Sequence, residues 1–245
     1  MTALVGREEE FELLRRRWFK ATNGEGQVVL LSGEAGIGKS RLTSAFVGVL
    51  AGGPRIRLHY SCSPQHTDSA LYPIIGQIER AAGLARDDSS QAKLDLAPQQ
   101  RRQRTLEAIA LQVEALARSS PVLMVFEDAH WSDPTSLELL GRAMVRIRTL
   151  SVLLIVTFRP DFEPGWIGQP HVTPLSLNRL APREVDAIID HIVGNKPLPA
   201  NIRQDITERT DGVPLFVEEM TKAVLEAESE REARLAAAVI PPPGH

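Results

Sequence analysis

The stretch LLSGEAGIGKSRL, residues 30–42, decides the fold of this chain. It places glycines, a lysine and a serine between an apolar run and a run with helical spacing. Residues 33–40 match the pattern G-x-x-x-x-G-K-[ST] in full. Glycines let the backbone of such a loop wrap around phosphates with its N–H groups pointing inward. The helix that follows directs the positive end of its dipole at the same anion.

Each polar group of this loop has a chemical role. Lys39 places a positive charge on the β and γ phosphates, and the Ser40 hydroxyl is a hard oxygen ligand for Mg²⁺. A glycine-rich turn that matches by chance is the alternative, but the motif follows a predicted strand and opens a predicted helix, as phosphate binding requires. The predicted phosphate site consists of Gly33, Glu34, Ala35, Gly36, Ile37, Gly38, Lys39 and Ser40.

Apolar runs that alternate with helical patterns predict the architecture. The strands are apolar on both faces, which is typical of a parallel sheet covered by helices on both sides. From Ala181 onward helical patterns continue without strands. We predict an α/β fold, a three-layer α/β/α P-loop NTPase domain with a parallel five-stranded sheet, followed by a small helical lid domain. The predicted boundaries are 1–175 for the NTPase domain, 176–230 for the lid and 231–245 for a disordered tail.

Two carboxylates follow the buried run VLMVF. Glu127 and Asp128 come at the carboxyl end of this predicted strand, beside the phosphate loop if the sheet is parallel. We assign Glu127 to Mg²⁺ and Asp128 to the attacking water. The alternative is an acidic pair at an ordinary strand exit, bound to solvent. The next residue pair includes His130, for which packing is favoured over contact with the γ-phosphate.

An arginine closes the following predicted strand in the segment TFRP. Arg159 at that strand end can reach the γ-phosphate and sense its presence, because ligands bind beyond the carboxyl ends of parallel strands. The alternative is a surface arginine in a turn. Asp133 precedes Pro134 and is predicted to cap a helix.

Composition indicates an ordinary globular protein. The chain has 28 basic and 31 acidic residues for a net charge of −3, which gives no support to direct nucleic-acid binding. With one cysteine, Cys62, and no signal peptide, we expect a reducing, cytoplasmic location. The longest apolar run, residues 152–158, is far shorter than the ~20 residues of a membrane span.

Five motifs in order carry a family resemblance: LVGRE, GEAGIGKS, VLMVFEDAHW, TFRP and DGVPLFVEE. Together they resemble the signal-transduction ATPases with numerous domains (STAND), in the AAA-like branch. The chain also resembles ATPase modules beside adenylate cyclase domains and in large LuxR-type regulators, which are often described as origin-recognition-like AAA domains. The resemblance spans residues 4 to about 225.

The resemblance implies ATP or ADP with Mg²⁺ as ligands and gives residues their roles. Val5, Gly6 and Arg7 would lie against the adenine and ribose, and the phosphate site would extend through Arg41. Gly212 and Pro214 would bring the lid onto the adenine, so that the nucleotide couples the two domains. Family members usually carry further domains, which implies a protein partner or a covalently linked output domain.

The chain also departs from the family pattern. Glu127 stands where the family commonly has aspartate, which puts the metal geometry and the hydrolysis rate in question. No second sensor arginine is evident in the lid after Pro214.

The resulting functional hypothesis is a slow, Mg²⁺-dependent ATPase that acts as a switch in a signal-transduction or transcription-regulatory protein. Two alternatives stay open. One is an origin-type loader in which ATP licenses contact with DNA, and the other is a scaffold that holds nucleotide without turnover. A small-molecule kinase is less favoured, because adjacent acids at a strand end suit hydrolysis and no acceptor-binding lid is evident.

Overall fold

The computed structural model describes residues 4–53, 55–82, 98–194, 196 and 198–239. Within these residues five strands alternate with helices. The strands are β1 (Gln27–Ser32), β2 (Ile56–Ser61), β3 (Val122–Glu127), β4 (Val152–Phe158) and β5 (Val172–Ser176). The helices are α1 (Glu8–Thr22), α2 (Lys39–Val49), α3 (Tyr72–Ala82), α4 (Pro98–Ser119), α5 (Pro134–Ile147), α6 (Pro182–Val193), α7 (Ala200–Thr210) and α8 (Pro214–Val239).

The five strands form one sheet in the order β2-β3-β4-β1-β5, and all pairs are parallel. The predicted α/β fold with a five-stranded parallel sheet is thereby confirmed. The register aligns the strand ends, with Ser32 opposite Phe158 and Ser61 opposite Glu127. Segments that leave the carboxyl ends of β1, β3 and β4 therefore emerge at one edge of the sheet.

Burial explains why these runs become central strands. Every residue of β4 is buried, and so are the first five residues of β1 and of β3. Side chains of β-branched and aliphatic residues pack against helices on both faces, which removes apolar surface from water. The helix α5 begins at Pro134, and the Asp133 carboxylate accepts from the N–H groups of Thr135 and Ser136 at 2.9 Å. The predicted cap is confirmed.

Residue contacts divide the chain into two units. The sheet unit comprises Glu9–Glu34 and Lys39–Ser176. The helical unit comprises the residues up to Glu8, Ala35–Gly38 and the residues from Leu177 onward. Its core is built by α6, α7 and α8 around Val185, Ile189 and Val217. The sequence placed the boundary at residue 175 but did not predict that the N-terminal segment and the phosphate-loop tip group with the helices.

The last helix extends beyond the predicted end of the lid. α8 continues to Val239, past residue 230, and the part of the predicted tail at 240–245 lies outside the described residues. In the part of the chain that the structure describes, no helix combines the length and the apolar character that crossing a bilayer requires.

Candidate active site

Three of the predicted motifs meet at the carboxyl edge of the sheet. The phosphate loop follows β1, the Glu127–Asp128 pair spans the end of β3, and Arg159 follows β4. Since β4 lies between β1 and β3, its end is next to both motifs. The Gly33 N–H donates to the Phe158 carbonyl at 3.3 Å, which joins the loop to the end of β4.

Lys39 is the most buried charge of this site. Its side chain is 8% exposed, and Nζ donates to the carbonyls of Gly33 at 2.7 Å and Glu34 at 2.9 Å. Burial lowers the Lys39 pKa, the negative charge of Asp128 raises it and the Arg159 guanidinium lowers it further. A buried ammonium whose pKa responds to a carboxylate and a guanidinium at the same sheet edge is suited to an anionic ligand.

Glycine is required at the tip of the phosphate loop. Gly36 and Gly38 have φ angles of +76° and +104°, which favour glycine. A Cβ on Gly36 would lie 3.0 Å from the Leu215 Cβ, and the Leu215 N–H donates to the Gly36 carbonyl at 3.2 Å. The loop tip therefore has no room for a larger residue at Gly36.

The residues predicted to face the adenine and ribose have other contacts in the helical unit. Arg7 is 6% exposed, and its Nη2 donates to the carbonyls of Ile37 at 3.3 Å and Asn178 at 2.6 Å. Val5 packs against the apolar core of that unit, and Pro214 begins α8. These contacts hold Arg7 against the loop backbone, and the adenine-facing role stays a prediction.

The two predicted carboxylates are held differently. Asp128 adopts the left-handed conformation, with φ 57° and ψ 48°, and its N–H donates to Thr157 Oγ1 at 3.0 Å. Thr157 is fully buried. The Glu127 carboxylate accepts from Thr43 Oγ1 at 3.4 Å through Oε1 and contacts His59 Nε2 at 3.0 Å through Oε2.

The sequence patterns did not identify three of these partners. Thr43 lies three residues after Ser40, one helical turn along α2. Residues at this spacing share a helix face, and this was the one feature of the sequence that could have placed Thr43 beside Ser40. Thr157 is the first residue of the segment TFRP, two residues before Arg159. His59 is on β2, and only the order of the strands reveals that it lies next to Glu127.

The donor set fits Mg²⁺. Thr43 Oγ1 lies 3.0 Å from the Ser40 carbonyl and 3.4 Å from Glu127 Oε1, which brings the Glu127 carboxylate to the first turn of α2. The Ser40 residue is exposed there. Among the described residues no cluster of three or more His, Cys, Asp or Glu side chains could hold a metal alone. One hydroxyl and one carboxylate suit Mg²⁺, which takes its other ligands from phosphates and water.

Arg159 and His130 flank the acidic pair. The Arg159 guanidinium carbon lies 5.5 Å from the centre of the Trp131 ring, a cation–π distance. The His130 ring lies 4.9 Å from the same indole, and both ring nitrogens are buried without a hydrogen-bond partner among the described residues. Burial lowers the His130 pKa, which favours the neutral ring. This environment supports packing as the role of His130.

The fold and the loop define a P-loop nucleotide-binding protein of the AAA type. Residues 3–156 match the family model described as AAA ATPase domain. The chain belongs to the AAA ATPase domain family.

One curated relative is similar along most of this chain. An uncharacterized protein of Rhizobium meliloti (strain 1021) is 30% identical over 260 residues, which cover 90% of this chain and 25% of that protein. The chain thus spans about a quarter of the length of this curated relative.

Two solved structures share the fold at low identity. The Aeropyrum pernix ORC1 protein, solved in complex with DNA, has a TM-score of 0.66 at 16% identity, covering 94% of this chain and 62% of that one. A STAND protein with a tetratricopeptide repeat sensor from Pyrococcus horikoshii has a TM-score of 0.50 at 16% identity, covering 89% and 29%. At these identities the likeness concerns the fold alone.

Proposed function

We propose that this chain binds ATP with Mg²⁺, hydrolyses it slowly and acts as a nucleotide-dependent switch in a signal-transduction or transcription-regulatory protein. The observation that carries the proposal is the arrangement of Lys39, Asp128 and Arg159 at the carboxyl edge of the sheet, where the charges of both Asp128 and Arg159 affect the Lys39 pKa. Family membership supports adenine nucleotide as the ligand.

The proposed chemistry is an in-line displacement at the γ-phosphorus. A water oxygen attacks that phosphorus, its proton passes to the Asp128 carboxylate, and the bond to the β–γ bridging oxygen breaks to release ADP and phosphate. Lys39 and the loop N–H groups stabilise the charge on the phosphates, and Arg159 contacts the γ-phosphate. Ser40 and Glu127 would hold Mg²⁺, and the bound ion would supply positive charge against the phosphate oxygens.

A nucleotide-dependent switch acts through another domain or protein that responds to the nucleotide state. Because the curated relative extends far beyond the matched region, we propose that a covalently linked output domain or a protein partner reads the nucleotide state. A cytoplasmic location, suggested by the single cysteine, belongs to the same proposal. A DNA-loading role is less favoured, because the net charge of −3 provides no general attraction for nucleic acid.

A scaffold without turnover is the second candidate. Both oxygens of Glu127 already have hydrogen-bond contacts, with Thr43 and His59. This engagement could hold the carboxylate in a place that binds nucleotide but gives little hydrolysis.

Phosphate release with ATP and with GTP distinguishes these functions. Wild type should release phosphate from ATP, and Asp128→Asn should bind ATP while turnover falls by roughly 10²-fold or more. Asparagine is the right replacement because it tolerates the left-handed backbone at position 128. Asp161→Asn, which removes the same charge from an exposed position nearby, is the matched control and should keep wild-type turnover. Equal ATPase rates for Asp128→Asn and wild type would overturn the assignment.

A further inference from the structure

The Glu127 carboxylate is tethered by a histidine from the neighbouring edge strand. His59 Nε2 lies 3.0 Å from Glu127 Oε2, and the side chains are 33% and 18% exposed. We propose that His59 is a positioning residue that fixes the Glu127 carboxylate for its contact with nucleotide-bound Mg²⁺. The inference rests on the proposed function and adds a residue to it.

Strand register brings the two side chains together. Ser61 pairs with Glu127 in the β2–β3 ladder, and His59 is two residues before Ser61, so its side chain lies on the same face as a diagonal neighbour of Glu127. The His59 N–H donates to Gln77 Oε1 of α3 at 3.1 Å, which anchors the strand backbone at this position. A carboxylate oxygen accepts hydrogen bonds, so we assign the ring proton to Nε2 as the donor.

Glutamate has a particular need for such a tether. Its side chain has one more rotatable bond than aspartate, and fixing the carboxylate for a metal costs conformational entropy. Thr43 contacts Oε1 and His59 contacts Oε2, so the two partners restrict both oxygens of Glu127. A partly exposed side-chain contact of this kind adds little to stability, which leaves orientation of the carboxylate as the main consequence of the contact.

The test measures the gain in ATP affinity that Mg²⁺ provides. ATP binding is followed by calorimetry with Mg²⁺ and with EDTA, for wild type, His59→Ala and His59→Gln, and the thermal midpoint of each variant is recorded. Arg57→Ala is the matched control, because Arg57 is exposed on the same face of β2, two residues before His59.

The proposal predicts that only the Mg²⁺-dependent part of the ATP affinity falls. His59→Ala should reduce the Mg²⁺-dependent gain roughly tenfold, the usual scale for a residue that orients a metal ligand. Binding in EDTA should be unchanged. His59→Gln, which keeps an N–H donor, should retain most of the gain, and Arg57→Ala should retain all of it.

A second background tests whether His59 acts through Glu127. Glu127→Asp shortens the side chain by one methylene and separates it from His59. In that background His59→Ala should have less than about a twofold further effect, because the shared interaction is already lost.

Three results would overturn the proposal. An unchanged Mg²⁺ gain with a lower thermal midpoint would make His59 a structural residue and leave the ATPase function standing. Loss of binding in EDTA as well would show that His59 supports the whole nucleotide site instead. Absence of any ATP binding by wild type would remove both the inference and the proposed function.

Discussion

The N–H of Asp128 donates to Thr157 Oγ1 across 3.0 Å, so the end of β4 fixes the first residue after β3. Asp128 has a φ of 57°, a left-handed conformation that costs most L-residues about 1–2 kcal/mol and that aspartate adopts more readily than most. The fully buried Thr157 hydroxyl offsets that cost by accepting the hydrogen bond. The carboxylate that we propose activates the water is therefore held by a left-handed backbone that a neighbouring strand fixes in place.

Thr157→Val keeps the shape of this side chain and removes the acceptor. We expect the free energy of unfolding to fall by about 1–3 kcal/mol, because the amide of Asp128 loses its partner. Phosphate release should slow as well, since the Asp128 carboxylate is no longer fixed. Denaturant unfolding and a phosphate assay measure the two effects, with Thr157→Ser as the control that retains the hydroxyl. Wild-type turnover in the valine variant would contradict this account.

Arg159→Ala tests the proposed sensing of the γ-phosphate. A charged hydrogen bond to that group is worth about 1.5–3 kcal/mol, so ATP affinity should fall roughly tenfold to hundredfold. ADP affinity should change little, because ADP has no γ-phosphate. Arg148→Ala is the control, since Arg148 is exposed before β4 begins, at the opposite end of that strand. Equal losses for ATP and ADP would argue against a sensor role.

Two glycine substitutions separate loop geometry from helix propensity. Gly36→Ala places a Cβ 3.0 Å from Leu215 Cβ at a φ of +76°, so both stability and nucleotide affinity should fall, the stability by about 1 kcal/mol or more. Gly48 lies within α2, and a Cβ there meets nothing within 4 Å. Gly48→Ala should therefore raise the free energy of unfolding by roughly 0.5–1 kcal/mol. Urea unfolding measures the free energy of unfolding, and titration measures the ATP affinity. Wild-type values of both for Gly36→Ala would contradict the prediction.

The stability of the protein should fall in alkali partly because of Cys62. Burial raises the pKa of the Cys62 thiol from 9.0 to about 12. Between these values the unfolded chain loses a proton that the folded chain keeps, so the contribution of Cys62 to stability is constant below pH 9.0 and declines by up to ~1.4 kcal/mol per pH unit above it.

Cys62→Ala removes this contribution. Urea unfolding at about pH 8 and about pH 10.5 should show a smaller decline in the variant than in wild type. Part of the decline should remain, because burial also raises the pKa of Tyr60 from 10.0 to about 12. An identical decline in both proteins would show that Cys62 ionises as readily in the folded state as in the unfolded one.

The sequence predicted the parts of the fold that depend on local pattern. The apolar run before the phosphate loop became β1 at Gln27–Ser32, and Pro134 began α5 as expected. The contacts of Glu127 with His59 and of Asp128 with Thr157 could not be predicted in this way. They join neighbouring strands that are distant in sequence, and hydrophobic periodicity does not determine strand order.

The grouping of Arg7 with the phosphate-loop tip could not be predicted from the sequence for the same reason. Its guanidinium bonds to the carbonyls of Ile37 and Asn178, and no local signal relates these three positions. Every residue has a backbone carbonyl. When a side chain donates to such a carbonyl, the residue type at the accepting position therefore gives no sign of the contact.

Calorimetry with Mg²⁺ and ATP on wild type and Lys39→Ala tests the central claim most directly. Lys20→Ala, which removes an exposed lysine from α1, serves as the control. Lys39→Ala removes the hydrogen bonds to the Gly33 and Glu34 carbonyls, so its thermal midpoint is recorded beside the binding heat to separate lost binding from unfolding. We predict saturable binding heat for wild type and for Lys20→Ala, and none for Lys39→Ala. Wild type without binding heat at millimolar ligand, or Lys39→Ala binding as wild type does, would contradict the account.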